Sequence, residues 1–173
     1  AECQGAALPD EDAFRTPLGL IRLSPKVQTL AKLPPFSINP KALVHRPGWA
    51  VQSPLRVRGV ETPHTWEHST EVQLPFLQRV LKDFTLVPAV MGQVDEAAAA
   101  RALGEILDEN TIVLASSDLS HYHPYDEARR LDGRCVKAIC EMDMDRMAGE
   151  EACGRSPILT LMHLAKARGW RPQ

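Results

Sequence analysis

Long apolar runs are absent from this sequence, and none approaches the roughly 20 consecutive apolar residues that a membrane-spanning helix needs. Positive charge is not in excess either, because 20 Lys and Arg residues stand against 22 Asp and Glu residues, for a net charge of -2. A chain without a positive field is poorly suited to hold a phosphate backbone. These absences argue against a membrane protein and against a nucleic-acid partner.

Cysteine is also scarce, because the chain has 4 cysteines and no C-x-x-C pair. This spacing is typical of free thiols in a reducing compartment. Cys135 lies on the apolar stripe of a predicted helix, so we expect a core thiol, whereas Cys140 is one step off that stripe. The first residues, Ala1 to Gln4, lack the charged and apolar regions of a signal peptide. We therefore expect a soluble, cytoplasmic protein.

Length and proline content define the expected domain organisation. A chain of 173 residues with 44% hydrophobic residues can bury one core, so we expect a single domain over residues 1–173. The sequence opens on Ala1 and stops just after a helix-like segment, so we expect this domain to be partial. Prolines recur from about 36 to 63, where they forbid a long helix and predict an extended loop or insertion.

Alternating strand and helix patterns predict the fold class. Short apolar runs at Leu18–Leu23 and Thr111–Ala115 are typical of strands, the first as part of a hairpin. Apolar residues recur at helical spacing in four segments, near 66–81, 95–107, 128–142 and 158–165. Helices that follow strands predict an α/β fold with a mostly parallel or mixed sheet flanked by helices.

Polar side chains are concentrated in the turn Ser116–Tyr122, directly after the Thr111–Ala115 run. In α/β sheets, functional groups collect in the loops beyond the carboxyl ends of strands. This turn holds hydroxyls, a carboxylate, an imidazole and a phenol. It predicts either a hydrogen-bonded turn in which Asp118 caps the next helix, or a site in which the imidazole of His121 moves protons.

A second polar cluster begins at Glu67, at the start of a predicted helix. Val72, Phe76 and Val80, with Leu77 and Leu81, would form the apolar face of that helix, and His68 would lie near Val72 on a polar rim. The spacing fits a polar rim over an apolar floor, and it equally fits a solvated helix start.

A thiol stands at the start of the last predicted helix. Cys153 and Gly154 come just before a Ser-Pro pair that is typical of a helix start. The N-terminal end of a helix favours a thiolate, which can act as a nucleophile or as a metal ligand. The alternative for Cys153 is an ordinary buried thiol.

Three long blocks of this sequence resemble downstream signature blocks of the MEMO family, in the family's order. They are EHSTEVQLPFLQ (Glu67–Gln78), ASSDLSHYHPYDEA (Ala115–Ala128) and ACGRSPI (Ala152–Ile158). The opening ALPDEDAFRTPLG (Ala7–Gly19) is also similar to a family stretch. Together these blocks cover most of the chain outside the proline-rich segment. The sequence therefore resembles MEMO-like proteins, including those of the AmmeMemoRadiSam system protein B type.

The resemblance implies a fold shared with the class III extradiol dioxygenases, and a metal-centred pocket. In those dioxygenases two histidines and one carboxylate hold Fe(II), while a further histidine acts as an acid and base. Block matching gives Cys153 the place of the metal-binding carboxylate and His121 that of the further histidine, with Asp118 beside it as a second catalytic residue. The remaining residues that the resemblance implies for the pocket are His68, Glu71, Gln73, Ser116, Ser117, Ser120, Tyr122, Gly154 and Arg155.

The resemblance also implies that the pocket is incomplete. The family's two metal-binding histidines belong to upstream blocks, and neither these blocks nor the family's C-terminal strands are found in the sequence. One thiolate cannot fix a divalent ion, since tight sites use three or four protein ligands. We therefore expect Fe, Cu or Zn to bind weakly or not at all, without ring cleavage. Missing strands would leave apolar surface uncovered and favour self-association.

Two other classes of function remain open, beside a truncated product with no activity. His64-Thr65-Trp66-Glu67-His68 matches the H-x-x-E-H pattern, in which two histidines of one helix bind zinc and the glutamate acts as the base. A non-catalytic module would instead use the same pocket to hold a protein or peptide, because a fold does not fix a function. The association of MEMO proteins with signalling in animals is consistent with such a partner.

Overall fold

A computed structural model describes residues 3–38 and 62–173, so most of the predicted proline-rich loop lies outside the described residues. The chain forms two compact units, Ala1–Asp95 and Glu96–Gln173. The described strands are β1 (Ala6–Leu8), β2 (Ala13–Thr16), β3 (Gly19–Arg22), β4 (Phe36–Ile38) and β5 (Val90–Met91). The described helices are α1 (Lys26–Leu30), α2 (Pro63–Trp66), α3 (Ser69–Val80), α4 (Glu96–Ile106), α5 (Tyr125–Cys140), α6 (Met144–Ala148) and α7 (Arg155–Arg168). In the part of the chain that is described, no helix is long and apolar enough to cross a membrane.

A small mixed sheet forms the centre of the first unit, in the strand order β4-β1-β5. β1 is parallel to β4, with Ala6 opposite Phe36, and antiparallel to β5. All three residues of β1 are buried. A Cβ atom on Gly92 would lie 1.9 Å from the carbonyl oxygen of Cys3, so this close approach of two backbones requires glycine. Helices and a mixed sheet confirm the predicted α/β class.

The hairpin predicted around Leu18–Leu23 is confirmed. β2 and β3 pair antiparallel, with Phe14 opposite Ile21. Ile21 is buried while Leu20 is exposed, as expected for a strand with one solvated face. Gly19 follows the turn with a φ of 129°, a backbone conformation that other residues rarely adopt.

The helix predicted near 66–81 is confirmed as α3, which starts at Ser69 because Glu67 and His68 separate it from the short helix α2. Glu67 has an extended backbone, and its Oε1 accepts the backbone N–H of Ser69 at 2.8 Å. This hydrogen bond satisfies a free donor in the first turn of α3. The local side-chain bond therefore accounts for the new helix start after the break.

The apolar face expected for this helix is wrong in part, because Leu77 and Leu81 are half-buried but its other three residues are exposed. Val72, Phe76 and Val80 are 48%, 71% and 74% exposed, whereas Leu74 is 1% exposed. The helical period is correct but the buried side is not. Periodicity cannot tell which of two apolar stripes meets the rest of the unit, because that depends on packing partners far away in the sequence.

Three helices predicted in the second unit are confirmed as α4, α5 and α7. Ala99, Ala102 and Ile106 of α4 are buried, as their helical spacing predicts. Cys135 of α5 is fully buried, as expected for a core thiol, and Cys140 is exposed. Gly169 ends α7 in the left-handed conformation, with a φ of 68°.

The core of the second unit joins α5, α6 and α7. Its buried residues are Cys135, Ala138, Met147, Ile158, Leu159 and Met162. The short helix α6 is not predicted by the sequence pattern. Its N-cap is Asp143, whose side chain accepts the N–H of Arg146 at 3.0 Å. Its Met147 is fully buried in the core of this unit.

The strand predicted at Thr111–Ala115 is wrong, because the described residues of this segment form no strand. Ile112 and Leu114 are 70% and 63% exposed, so the segment is not buried on both sides. Ala115 packs against the core of the second unit. β-prone residues become a strand only where another strand pairs with them, and none does so in the described chain.

Candidate functional site

The turn that begins at Ser116 and the start of α7 are joined by a reciprocal pair of hydrogen bonds. The backbone N–H of Asp118 donates to Cys153 Sγ at 3.1 Å, and the backbone N–H of Cys153 donates to the carbonyl oxygen of Asp118 at 3.1 Å. The backbone N–H of Gly154 donates to Ser117 Oγ at 2.9 Å. The turn and the thiol, which the resemblance places in one pocket, are therefore in contact, but the described residues 96–173 do not form the sheet edge at which this site was expected.

Glycine at position 154 is what allows this approach. A Cβ atom on Gly154 would lie 2.4 Å from the carbonyl oxygen of Ser116 and 2.6 Å from Ser117 Cβ. Both atoms belong to the turn, so any larger residue would push the turn away. The Cys-Gly sequence thus places a thiol against a backbone turn that only glycine can contact so closely.

Apolar contacts fix both segments of this site to the core of the second unit. Leu119 of the turn and Ala152 beside the thiol pack against that core. Cys153 itself is exposed, and Gly154 after it is the N-cap of the 14-residue helix α7. The sulfur is therefore held in place by a backbone donor while it remains accessible to solvent.

His121 and His123 share one carboxylate, that of Glu151. Glu151 Oε1 accepts the backbone N–H of His121 at 2.8 Å, and Oε2 lies 2.9 Å from Nε2 of His123. The His121 ring also faces Glu151, with Nδ1 4.0 Å from Oε1. The N–H of His121, followed by the hydrogen bond from His123, lowers the pKa of Glu151, so this carboxylate is ionised where it receives both donors.

A second carboxylate, on α5, binds the loop that contains His121 and His123. Asp132 Oδ1 accepts the backbone N–H of Ser120 at 2.9 Å, and this hydrogen bond lowers the pKa of Asp132. Between the two anchored histidines, Tyr122 has a φ of 61° and a fully exposed side chain. A non-glycine residue in the left-handed region is strained, so neighbouring contacts must keep the loop in this conformation.

The other residues predicted for the pocket are distributed as follows. Ser116, Ser117 and Ser120 lie in the turn, and Arg155 is the exposed first residue of α7. His68, Glu71 and Gln73 are exposed residues of the first unit, around the start of α3. The structure thus brings the turn and the start of α7 together within the second unit.

The described residues around Cys153 do not fit a resident metal ion. In the described ranges, no group of three or more His, Cys, Asp or Glu side chains is arranged to hold one. The sulfur makes polar contacts with the N–H of Asp118 and the hydroxyl of Ser117, at 3.1 and 3.9 Å. An N–H group cannot ligate a cation, and one thiol does not define a coordination geometry.

The H-x-x-E-H interpretation is wrong, because it requires both histidines on one helix. α2 spans Pro63–Trp66, and Glu67 is extended, so His64 and His68 do not share a helix face. His64 Nε2 is instead 2.9 Å from the carbonyl oxygen of Ala7. Burial lowers the pKa of His64, partly offset by this hydrogen bond, which is consistent with a structural histidine.

The sequence reasoning missed Glu151 and Asp132 as parts of this site. Both act by accepting backbone N–H groups of a loop that is distant in sequence, and such contacts leave no local motif. The signal that was available for Glu151 is its place, two residues before Cys153 in an acidic pair.

Comparisons with known proteins agree on one family. The family described as Memo-like protein matches residues 3–172 of this chain. A MEMO1 family protein of Archaeoglobus fulgidus is 38% identical over 125 residues, which are 65% of this chain and 48% of that protein. A MEMO1 family protein of Methanobrevibacter smithii is 42% identical over 118 residues, which are 61% of this chain and 42% of that protein. A MEMO1 family protein of Aeropyrum pernix is 32% identical over an alignment of 185 residues, which covers 97% of this chain and 58% of that protein. The chain spans about half the length of the curated relatives it matches.

Proposed function

Because this chain belongs to the Memo-like protein family, we propose that its turn Ser116–Tyr122 and Cys153 form the thiol-bearing part of a pocket like that of the class III extradiol dioxygenases. The observation that supports this most directly is the 3.1 Å hydrogen bond from the N–H of Asp118 to Cys153 Sγ. It joins two segments that are both parts of the family resemblance. The proposed chemistry is therefore centred on one oriented, accessible sulfur.

The surroundings of Cys153 suit a reactive sulfur. The N–H of Asp118 and the N-terminal end of α7 both place positive electrostatic potential at the sulfur. Such an environment favours attack on an electrophilic ligand, or binding of a soft metal ion. All 4 cysteines are free, which suits a reducing cytoplasmic setting.

His121 is the proposed acid and base of this pocket. An imidazole can give or take a proton at either ring nitrogen. Because Nδ1 faces Glu151 Oε1 at 4.0 Å, Nε2 is the nitrogen left to exchange a proton with a bound ligand. The carboxylate of Asp118 belongs to an exposed residue next to the thiol and would orient polar groups of that ligand.

We propose that this part of the pocket does not complete a metal site. The ligand set of the described residues supplies one sulfur, while a defined site for Fe, Cu or Zn needs three or four ligands. Weak metal binding and no ring cleavage are the expected properties of this chain. A dioxygenase-like activity would require the ligands that the family resemblance assigns to other blocks.

A second candidate function is the binding of a protein or peptide. It is favoured by the exposed aromatic side chains of Tyr122 and Tyr125, the second of which lies under the guanidinium of Arg129 at 5.7 Å. Tyr and Arg are enriched at the energetically important positions of protein interfaces. This candidate uses the edge of the same loop and does not need Cys153.

Alkylation resolved by peptide tests the primary proposal. Native protein is treated with iodoacetamide at neutral pH, and the modification of Cys153 is followed against Cys140, which is exposed on α5 and serves as the internal reference. We expect Cys153 to react several-fold faster than Cys140. Equal rates, or a protected Cys153, would reject a reactive thiol and leave the binding module as the better function.

A further inference from the structure

We infer that Glu151 is the positioning residue of this site, because its carboxylate binds His121 and His123 of the loop Ser120–His123 and thereby keeps in place both His121 and the adjoining residues of the turn that contact Cys153. This inference rests on the proposed function of the turn and the thiol. Glu151 is not a catalytic residue in it, since its contacts are to the loop and not to the sulfur.

The two carboxylate oxygens of Glu151 bind two different residues of the loop. Oε1 accepts the backbone N–H of His121 at 2.8 Å, and Oε2 is 2.9 Å from His123 Nε2. The residue between them, Tyr122, has the left-handed φ of 61°. A carboxylate that binds both neighbours of a strained residue opposes relaxation of that residue.

Glu151 can link the loop to the thiol because Glu151 and Cys153 belong to one short segment. The preceding Glu150 is buried and fixes this segment to α5, since its Oε2 lies 3.2 Å from the guanidinium of Arg134. Ala152 then packs on the core, and Cys153 follows. This anchored segment therefore presents the carboxylate to the loop and the sulfur to the turn.

Loss of this carboxylate should affect the sulfur through the backbone. The loop and the turn are one continuous stretch, so release of His121 loosens the residues that lead to Asp118, whose N–H reaches the sulfur. The bond from Ser120 to Asp132 would remain, so the turn is retained and the effect on Asp118 is partial. The expected result is a turn that still exists but orients Cys153 less firmly.

Three variants separate positioning from folding. Glu151→Ala removes both contacts, and Glu151→Gln keeps an oxygen that can accept the His121 N–H. Glu127→Ala is the matched control, because Glu127 Oε2 lies 3.7 Å from His123 Nδ1 and contacts the same imidazole without binding His121. The readouts are the amide NMR shift and hydrogen exchange of His121, and the alkylation rate of Cys153 relative to Cys140.

We expect Glu151→Ala to shift the His121 amide, to remove its exchange protection and to lower the Cys153 rate towards that of Cys140. Glu151→Gln should retain the wild-type amide shift, and Glu127→Ala should change neither readout. A wild-type amide and rate in Glu151→Ala would overturn the inference, and the proposed function would stand if Cys153 still reacted faster than Cys140. If Glu151→Ala unfolds, seen as labelling of the buried Cys135, Glu151→Gln decides: a retained amide shift and Cys153 rate support the inference, and loss of either rejects it.

Discussion

Leu74 and Phe76 lie two residues apart on α3, yet Leu74 is 1% exposed and Phe76 is 71% exposed. Truncation of Leu74 to Ala should cost about 2 to 5 kcal/mol in the free energy of unfolding, since it leaves a cavity. Phe76→Ala should change that free energy by less than about 0.5 kcal/mol, as exposed positions usually do. Urea denaturation of both variants checks this, and a larger loss for Phe76 would mean that the other face of α3 is buried.

A matched pair of glycines tests the contact between the turn and the thiol. Gly154→Ala should destabilise the protein by about 1 to 3 kcal/mol, because its Cβ would overlap the turn at Ser116 and Ser117. Gly133→Ala within α5 has no atom within 4 Å of its new Cβ and should stabilise by about 0.4 to 1 kcal/mol. Denaturant unfolding gives both values. Equal effects of the two substitutions would show that the turn does not press against Gly154.

The buried imidazole of His64 predicts how stability depends on pH. Burial lowers the pKa of His64 in the folded protein below its ordinary value of 6.5, so the unfolded chain takes up the proton first. The stability from a neutral His64 is fully present above about pH 6.5 and is lost as pH falls towards the folded pKa. Unfolding free energies across this range should fall in acid, and His64→Gln should flatten the dependence. Greater stability of the wild type in acid would contradict the assignment.

The cysteines should differ in reactivity according to burial. Burial raises the pKa of Cys135, with smaller contributions from Glu150 and Asp132, and it also raises that of Cys3. Both side chains are buried, so native alkylation should leave them unmodified while Cys140 reacts. Mass spectrometry of the labelled peptides measures this. Rapid labelling of Cys135 would show that the packing of α5 is different.

The helices of the second unit could be predicted because their information is local. Repeating apolar positions define α4, α5 and α7, and Gly169 marks where α7 ends. Whether Thr111–Ala115 forms a strand could not be predicted in the same way, and the described residues of this segment form none. Its β-prone residues are present, but a strand also needs a partner, and pairing depends on residues that are remote in sequence.

The candidate site was predictable in part for a similar reason. The resemblance places the turn and Cys153 in one pocket, and the hydrogen bond from Asp118 shows that they are in contact, although the expected sheet edge is not formed by the described residues of this unit. The contribution of Glu151 was not predictable, because a carboxylate that accepts a remote backbone N–H shows no motif. The catalytic roles of His121 and Asp118 stay predictions, since geometry alone does not test them.

The metal content of the purified protein tests the central claim most directly, namely that Cys153 is a thiol of an incomplete metal pocket. Elemental analysis for Fe, Cu and Zn is made on the wild type and on Cys153→Ala, after incubation with each metal and removal of the excess. We predict far less than one metal ion per chain in the wild type, with little change in the variant, because the described residues supply one sulfur and no converging partners. One metal ion per chain that is lost on Cys153→Ala would contradict the account and show that this thiol completes a metal site.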